Sequence, residues 1–316
     1  MPNKRKCFVI DFDETVTVHD TIKNIVQAGI QLNRGDLPST VTYKNIEDFY
    51  VKTYRQLNSK KGSHLPNAWG QHHAHRLCNV TLKYINEYNY QSFLKPYEDE
   101  TLQNIVNSDI FKGVCVDALV KAVTPELEIR SGFNSFLENS SDLLKEGLLY
   151  VLSLNFSKEL ICNVVKGLAQ SQVYCNYLET SGDVKSDISV KYNGKLNGKI
   201  LVGSDKSDVL FDMFGSDRTF ESSFKAGSQG AEVWYIGDSR SDYLSILHPL
   251  VNVGFLLIDE QNTDKFQKCC DFFKTGKLGY GDITATLYEA GWLPSDTCKR
   301  VYLVKGWHEI ISLARF

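Results

Sequence analysis

The chain reads as an α/β protein: a Rossmann-like, doubly wound, mostly parallel sheet interrupted by an inserted helical domain. Three observations lead there. Short apolar runs recur along the chain and each stops abruptly in polar residues, as strands buried on both faces of a parallel sheet do. Helical periodicities separate those runs, which is the alternation that winds a sheet on both sides. Between about Thr17 and Glu128 the strand-like runs give way to long helical patterns rich in Tyr, Asn and Lys. A chain of 316 residues also exceeds the size at which one core usually stops growing. A core of residues 1–16 and 129–316 and an insert of residues 17–128 are therefore expected.

The elements follow in order. Lys6 to Ile10 is the first buried strand, and folding is expected to begin at the first residues. Helices are expected at Thr21–Leu32, Tyr43–Leu57, Trp69–Glu87 and Glu98–Val106 within the insert. The runs Leu148–Leu154, Val233–Ile236 and Val253–Ile258 read as further strands, with helices over Ser157–Leu168, Ser207–Phe214 and Arg240–Leu247. Ser157 suits the N-cap of its helix. The pair Arg300–Val304 and Trp307–Ala314 repeats the alternation. Tyr192-Asn193-Gly194-Lys195 carries the Asn-Gly signal of a two-residue turn, so a small hairpin is expected over Ile188–Val202.

Composition narrows the class. The chain is 42% hydrophobic and 23% charged, with no low-complexity tract or repeat, as in ordinary globular proteins. A formal charge of −3 offers no basic stripe for nucleic acid, so a small molecule is the expected partner. Lys4, Arg5 and Lys6 are solvated charges flanking the first strand. The eight cysteines lack metal-site spacing, and Cys269 and Cys270 are adjacent, which suits reduced thiols better than a disulfide framework. No run approaches the ~20 apolar residues of a membrane span and no signal peptide is legible. The expected location is the cytoplasm, or cytoplasm and nucleus.

The chemistry concentrates at strand ends. Asp11-Phe12-Asp13-Glu14-Thr15 leaves the C-terminal end of the first strand, where open α/β sheets place their ligands. Two carboxylates and a hydroxyl there can bind a hard cation, leave one oxygen free as nucleophile and keep the second acid for proton transfer. A capped loop of solvated acids is the bland alternative. Ser153 ends the second strand, although turns also favour Ser. Lys206 lies in Gly203-Ser204-Asp205-Lys206-Ser207-Asp208, with Lys199 and Lys185 as rivals. Trp234-Tyr235-Ile236-Gly237-Asp238-Ser239-Arg240-Ser241-Asp242 puts Asp238 at a strand end and Asp242 one helical turn on, so both can face one cation.

These residues resemble the haloacid dehalogenase superfamily, whose phosphatases carry Asp-x-Asp-x-Thr after the first strand, then Ser or Thr, then Lys, then Gly-Asp-Ser-x-x-x-Asp. All four occur here in order, from Asp11 to Asp242. Ile129-Arg130-Ser131-Gly132-Phe133 is similar to the Arg-x-Gly-Phe stretch of the phosphoserine phosphatase-like branch, and the insert stands where that branch places its helical cap. Fungal-type members of unknown substrate are the nearest resemblance. It implies Mg²⁺ held by Asp11, the backbone carbonyl of Asp13 and Asp238, with Asp242 anchoring the coordinating shell. It implies Asp11 as the nucleophile of an aspartyl-phosphate pathway and Asp13 as acid, then base. Thr15 and Ser153 would bind phosphate oxygens, and Lys206 would offset their charge. Hydrolysis of a small phosphomonoester is the function implied. A phosphomutase using the same residues and a non-catalytic phospholigand sensor or scaffold are the alternatives. Which cap residues set specificity is open, His19, Asp20 and Thr21 being placed only by position.

Two other patterns carry less. Gln71-His72-His73-Ala74-His75 lacks an acid or Cys at ligand spacing and reads as a polar helix face. Gly194-Lys195-Leu196-Asn197-Gly198-Lys199 falls one residue short of a phosphate-binding loop and lacks its Ser or Thr.

Overall fold

Strand β1 (Lys6–Ile10) buries Cys7, Phe8, Val9 and Ile10 completely, so both of its faces need cover and its edges need partners. It has both. In the computed structural model, which describes residues 5–59, 65–73, 80–181, 190–215, 231–275, 278–295 and 298–315, β1 pairs in parallel with β2 (Leu149–Leu152) and with β6 (Glu232–Gly237). β3 (Val173–Tyr174) extends the sheet beyond β2. β7 (Val253–Leu257), β9 (Arg300–Val304) and β8 (Gly281–Asp282) extend it beyond β6, giving the order β3-β2-β1-β6-β7-β9-β8. Only β8 runs antiparallel. The order reverses at β1, which opens a crevice at the C-terminal edge, where such sheets bind ligands.

Register then fixes the site. Ile10 is level with Val151 and with Ile236, and the Asp11 amide donates to the Ile236 carbonyl at 2.9 Å. Asp11, Ser153 and Asp238 therefore leave the sheet at one edge.

One face is covered by α6 (Phe133–Asn139), α8 (Lys158–Val164) and α13 (Trp307–Ala314), packed on Phe8, Ile10 and Phe12. Trp307 is wholly buried, its ring 5.0 Å from Phe133 and 4.6 Å from Phe136. Its indole N–H donates to the Thr15 carbonyl at 3.0 Å, tying the C-terminal helix to the loop after β1. Trp307→Ala is expected to cost about 3–5 kcal/mol, read from chemical denaturation; a loss under about 1 kcal/mol would mean that this packing is dispensable. The other face carries α9 (Gly203–Phe214), α10 (Arg240–Ile246) and α11 (Thr263–Phe273) over Cys7, Val9 and Tyr235.

The segment between β1 and β2 contributes no strand to this sheet among the described residues. It forms α1 (Ile22–Leu32), α2 (Tyr43–Ser59), α3 (Ala68–His73), α4 (Leu82–Asn107) and α5 (Val116–Val123), before α6 and α7 (Ser141–Lys145) return to the sheet. At its two ends Thr17 bridges Ile129, Val18 N–H donates to the Glu128 carbonyl at 2.8 Å, and Arg130 N–H to the Val16 carbonyl at 2.9 Å. The chain leaving β1 and the chain returning to the sheet are thus bonded side by side here.

Several elements differ from expectation. The helices expected at Trp69–Glu87 and Glu98–Val106 are instead the short α3 and one 26-residue α4 with Pro96 inside it. A proline there removes a hydrogen bond and costs about 3 kcal/mol. Packing on two sides offsets that: Tyr84 and Tyr88 join the sheet's core while Ile105 joins a separate cluster with Ile25, Val26 and Leu119. The packed face carries the polar Glu87, Gln91 and Lys95 between its apolar ends, so no single apolar stripe marks the whole helix. Asn193-Gly194 is not a hairpin turn either. It lies within β5 (Lys191–Asn197), which pairs antiparallel with β4 (Tyr177–Ser181), at a register shift opposite Leu178 to Thr180. Gly194 has φ +86°, so the dipeptide marked a left-handed position that a strand irregularity uses. Residues 188 and 189 of the expected hairpin, and Ala74 and His75 of the histidine run, lie outside the described residues. β3, β4, β8, α5, α6, α7, α11 and α12 (Thr284–Glu289) have no counterpart among the elements expected from the sequence.

Among the described residues seven cysteines are free, and no helix is long and apolar enough to cross a membrane.

Candidate active site

After β1 the chain winds around one carbonyl: the amides of Thr15, Val16 and Thr17 all point at the Phe12 oxygen, at 3.3, 2.8 and 3.2 Å. Closing so tight a coil forces Glu14 to φ +55°, a conformation L-residues seldom adopt. Arg130, from the stretch that re-enters the core, donates to the Glu14 carbonyl at 2.6 Å. This coil presents Asp11 and Asp13.

Asp11 is almost fully buried, and one of its oxygens accepts from Lys206 Nζ at 2.7 Å. Burial, reinforced by the neighbouring Asp242 and Asp13 charges, pushes its carboxyl up to about 7 although Lys206 opposes the shift. Lys206 is itself buried and bridges to Asp242 at 2.7 Å. Burial works against its charge, but the two carboxylates outweigh it and raise its pKa. Gly203, the first residue of α9, lets that helix lie close against α10, since a Cβ there would lie 2.6 Å from the Ser241 carbonyl.

Asp13 is held apart from this cluster. Thr21 donates to one of its oxygens from both backbone (2.8 Å) and hydroxyl (2.6 Å), and Asn155 Nδ2 donates to the other at 2.9 Å. Burial raises its pKa against these bonds, which suits an acid that must hold a proton before giving it up. Thr21 stands at the start of α1 without capping it, its hydroxyl being directed to Asp13 instead.

Asp238 and Asp242 follow β6. Thr15 Oγ1 lies 3.1 Å from Asp238 and 3.4 Å from Asp11, so this hydroxyl sits between the two acids. Both Asp242 oxygens are engaged within the protein. Lys206 and Tyr235 OH reach one at 2.7 Å each, and the Asp238 amide, Ser239 amide and Ser239 hydroxyl reach the other at 3.2, 3.3 and 3.2 Å. Gly237 makes room for it, since a Cβ there would sit 2.4 Å from Asp242 Cγ. Ser153 is buried, its Oγ accepting the Asn155 amide at 3.1 Å.

Of the sequence-predicted residues, Asp11, Thr15, Lys206, Asp238 and Asp242 thus converge through direct bonds, with Asp13 and Ser153 joined to each other through Asn155. Lys199 is exposed, while Lys185 lies outside the described residues. Sequence reasoning passed over Asn155, whose Oδ1 makes an ordinary Asx turn to the Ser157 amide at 2.9 Å and so looks like turn chemistry. It also passed over Lys265 of α11, which pairs with Asp238 and with Glu14. Beside Glu14 and Lys265 a cavity of about 710 Å³ opens, lined also by Ser239, Arg240, Tyr243 and Phe272.

The donor set fits a hard divalent cation. Asp11, Asp238 and Asp242 bring one oxygen each within 4.8 Å of one another, and among the described residues no nitrogen or sulfur ligand joins them, the donor chemistry that hard cations prefer. Asp242 is engaged by five donors and holds the turn after β6 through the Asp238 and Ser239 amides, so Asp11 and Asp238 have the carboxylate oxygens that could hold such a cation.

No family model matches the chain. It is 30% identical to cold tolerance protein 1 of Saccharomyces cerevisiae over 326 aligned positions, covering 96% of each chain. The chain belongs to the family of that yeast protein. Among solved structures, a phospho-aspartyl intermediate analogue of phosphoserine phosphatase aligns with 98% of this chain and 99% of its own, at 15% identity and a TM-score of 0.45. Cytosolic 5'-nucleotidase IIIB bound to cytidine aligns with 98% of this chain and 83% of its own, at 11% identity and a TM-score of 0.47. In this chain the parallel strand order about β1 brings the four motifs to one sheet edge.

Proposed function

We propose that the protein is a Mg²⁺-dependent phosphatase that hydrolyses a small phosphomonoester through an aspartyl-phosphate on Asp11. The observation that carries this reading is the division of labour between two neighbouring acids. Asp11 is bonded to the buried Lys206, while Asp13 is bonded to Thr21 and Asn155 and left out of the ion pairs. A ligand sensor needs neither a nucleophile nor a separate proton donor.

Asp11 attacks phosphorus in line, the bond to the substrate oxygen breaks, and Asp13 gives that oxygen its proton. Asp13, now a carboxylate, takes a proton from water as the water attacks the phosphoryl group, and Asp11 is released with inorganic phosphate. Lys206 holds the Asp11 carboxylate in place and offsets negative charge on the transferring group, and Ser153 is placed to orient a phosphate oxygen. Thr15, hydrogen-bonded to Asp11 and Asp238, is assigned to both the acids and the phosphate. Bound Mg²⁺, held by Asp11, Asp238 and the Asp13 carbonyl, would supply charge neutralisation on the phosphoryl oxygens.

Residues 17–128 serve as the cap in this reading. They border the site through Thr21 and through α4, and a roofed site favours a metabolite over a folded polypeptide. Free cysteines agree with a cytoplasmic setting. The test is turnover of an aryl phosphate and of a metabolite-phosphate panel, beside phosphoproteins and terminally phosphorylated single-stranded nucleic acid. Metabolites are expected to give the highest kcat/KM, and EDTA to abolish turnover that Mg²⁺ restores. No turnover, activity that survives exhaustive EDTA, or a tenfold preference for a macromolecule would overturn it.

A further inference from the structure

Helix α4 touches the catalytic elements along one stripe. Tyr84 OH reaches Ser207 Oγ at 2.9 Å and the Leu244 carbonyl at 3.1 Å, and Tyr88 OH reaches Asp208 at 2.9 Å. Gln91 accepts the Gly203 amide at 3.2 Å, Ser92 meets Ser204 at 3.1 Å, and Lys95 meets Asp205 at 2.6 Å. Positions 84, 88, 91, 92 and 95 follow the three-and-four spacing of a helix face, and their partners Ser204, Asp205, Ser207 and Asp208 surround Lys206 on α9. Position 87 lies on the same face.

Glu87 is 5% exposed, and Arg240 grips it bidentately, Nε at 2.9 Å and Nη2 at 2.7 Å. Gln91 Nε2 donates to the same carboxylate at 2.7 Å. The guanidinium lies between the Tyr90 ring, at 4.2 Å, and the Phe272 ring, at 4.9 Å. Arg240, the first residue of α10, sits midway between Asp238 and Asp242, next to the loop that Asp242 closes by accepting the Asp238 and Ser239 amides. The fork therefore fixes the loop to a helix that the chain contributed more than a hundred residues earlier.

We propose that Glu87 and Arg240 are a positioning pair for the divalent-cation site: the inserted helix α4 sets the place of Asp238, and with it the affinity for the cation. The proposal rests on the reading of Asp238 as a cation ligand. An exposed ion pair contributes little, ~0–1 kcal/mol. This one has planar fork geometry, a buried carboxylate and aromatic flanks, which make it directional. A ligand must be held within about 0.5 Å of its working place, and partners that orient ligands typically control 10–100-fold in metal affinity.

The experiment is calorimetric titration of Mg²⁺ into the full chain, with thermal melts run alongside. Glu87→Gln, which keeps the shape and the Gln91 contact, and Arg240→Met are each expected to weaken binding roughly 10–100-fold. The double variant is expected to be no weaker than the worse single, because the two act through one contact. Ser92→Ala, on the same stripe away from the loop, is expected to bind like the parent. Should Glu87→Gln fail to fold, Arg240→Lys, which keeps the charge and loses the fork, reads the same quantity. Parent-like affinity in the folded single variants, or additive losses in the double, would overturn the proposal. Asp238→Asn separates the two levels: if it too leaves Mg²⁺ affinity unchanged, the cation reading itself fails, whereas loss in Asp238→Asn alone overturns only the role of Glu87 and Arg240.

Discussion

Asp11→Asn is expected to lower turnover below about a hundredth of the parent rate while making the metal-free protein more stable at pH 8. The catalytic loss follows from removing the attacking oxygen's charge. The stability gain follows from the balance around the buried carboxylate. Its pKa is pushed up to about 7 from 3.8, so burial and the repulsion of Asp242 and Asp13 outweigh the attraction of Lys206. A carboxyl raised in the fold adds stability that is fully present below its unfolded value near 3.8 and is lost as pH rises through about 7. Asparagine carries no charge to bury, so its advantage should appear above pH 7 and vanish near pH 4. Lys206 retains Asp242 at 2.7 Å. Paired thermal melts at pH 4 and pH 8, beside an activity assay, check both halves. An Asn variant with more than a hundredth of the activity, or with its gain at pH 4 instead, would contradict the account.

What the sequence made legible is what short-range pattern controls. β1, β9 and α13 fall on their expected residues because each is a compact apolar element bounded by polar residues. The carboxylates at the ends of β1 and β6 follow for the same reason: a strand's end fixes where the next residue points, and parallel register brings such ends together. Lys206 was harder to place, since nothing local separates it from Lys199; its burial against two acids is a tertiary fact.

The rest depended on packing between distant parts of the chain. Asn155 bonds an acid 142 residues away, and Glu87 meets an arginine 153 residues away. Within their own segments both look like common polar residues. Long α4 reads as two helices because the polar Glu87, Gln91 and Lys95 interrupt its packed face between the end on the sheet's core and the end on the cluster with α1 and α5. The same cluster takes in Leu178 and Tyr192 of the β4 and β5 hairpin, so the helical insert shares its core with strands from beyond the expected boundary. Hydrophobic periodicity reports which residues are buried and not against what.

Lys206→Met should combine a large catalytic loss with a large destabilisation. The lysine is buried and bridges two carboxylates that are themselves buried, at 2.7 Å each. Removing one partner from such a network leaves uncompensated charge, which typically costs about 3–5 kcal/mol. Since Asp11 and Asp242 raise the lysine's pKa above its usual 10.5, the stability it contributes is fully present below 10.5 and is lost only as pH rises through the higher folded value. The whole loss should therefore be seen at pH 8. It should shrink toward pH 5, where Asp11 takes up a proton and no longer needs a counter-charge. Adding Asp242→Asn to Lys206→Met should restore part of the stability and none of the activity, because the cation facing the transferring group is still missing. That cation is assigned a factor of roughly 10²–10³ in rate. Urea titrations at pH 5 and pH 8 with assays of both variants decide it. Activity within tenfold of the parent in Lys206→Met would transfer the role to Lys265, the other ammonium bonded to the acid cluster through Asp238.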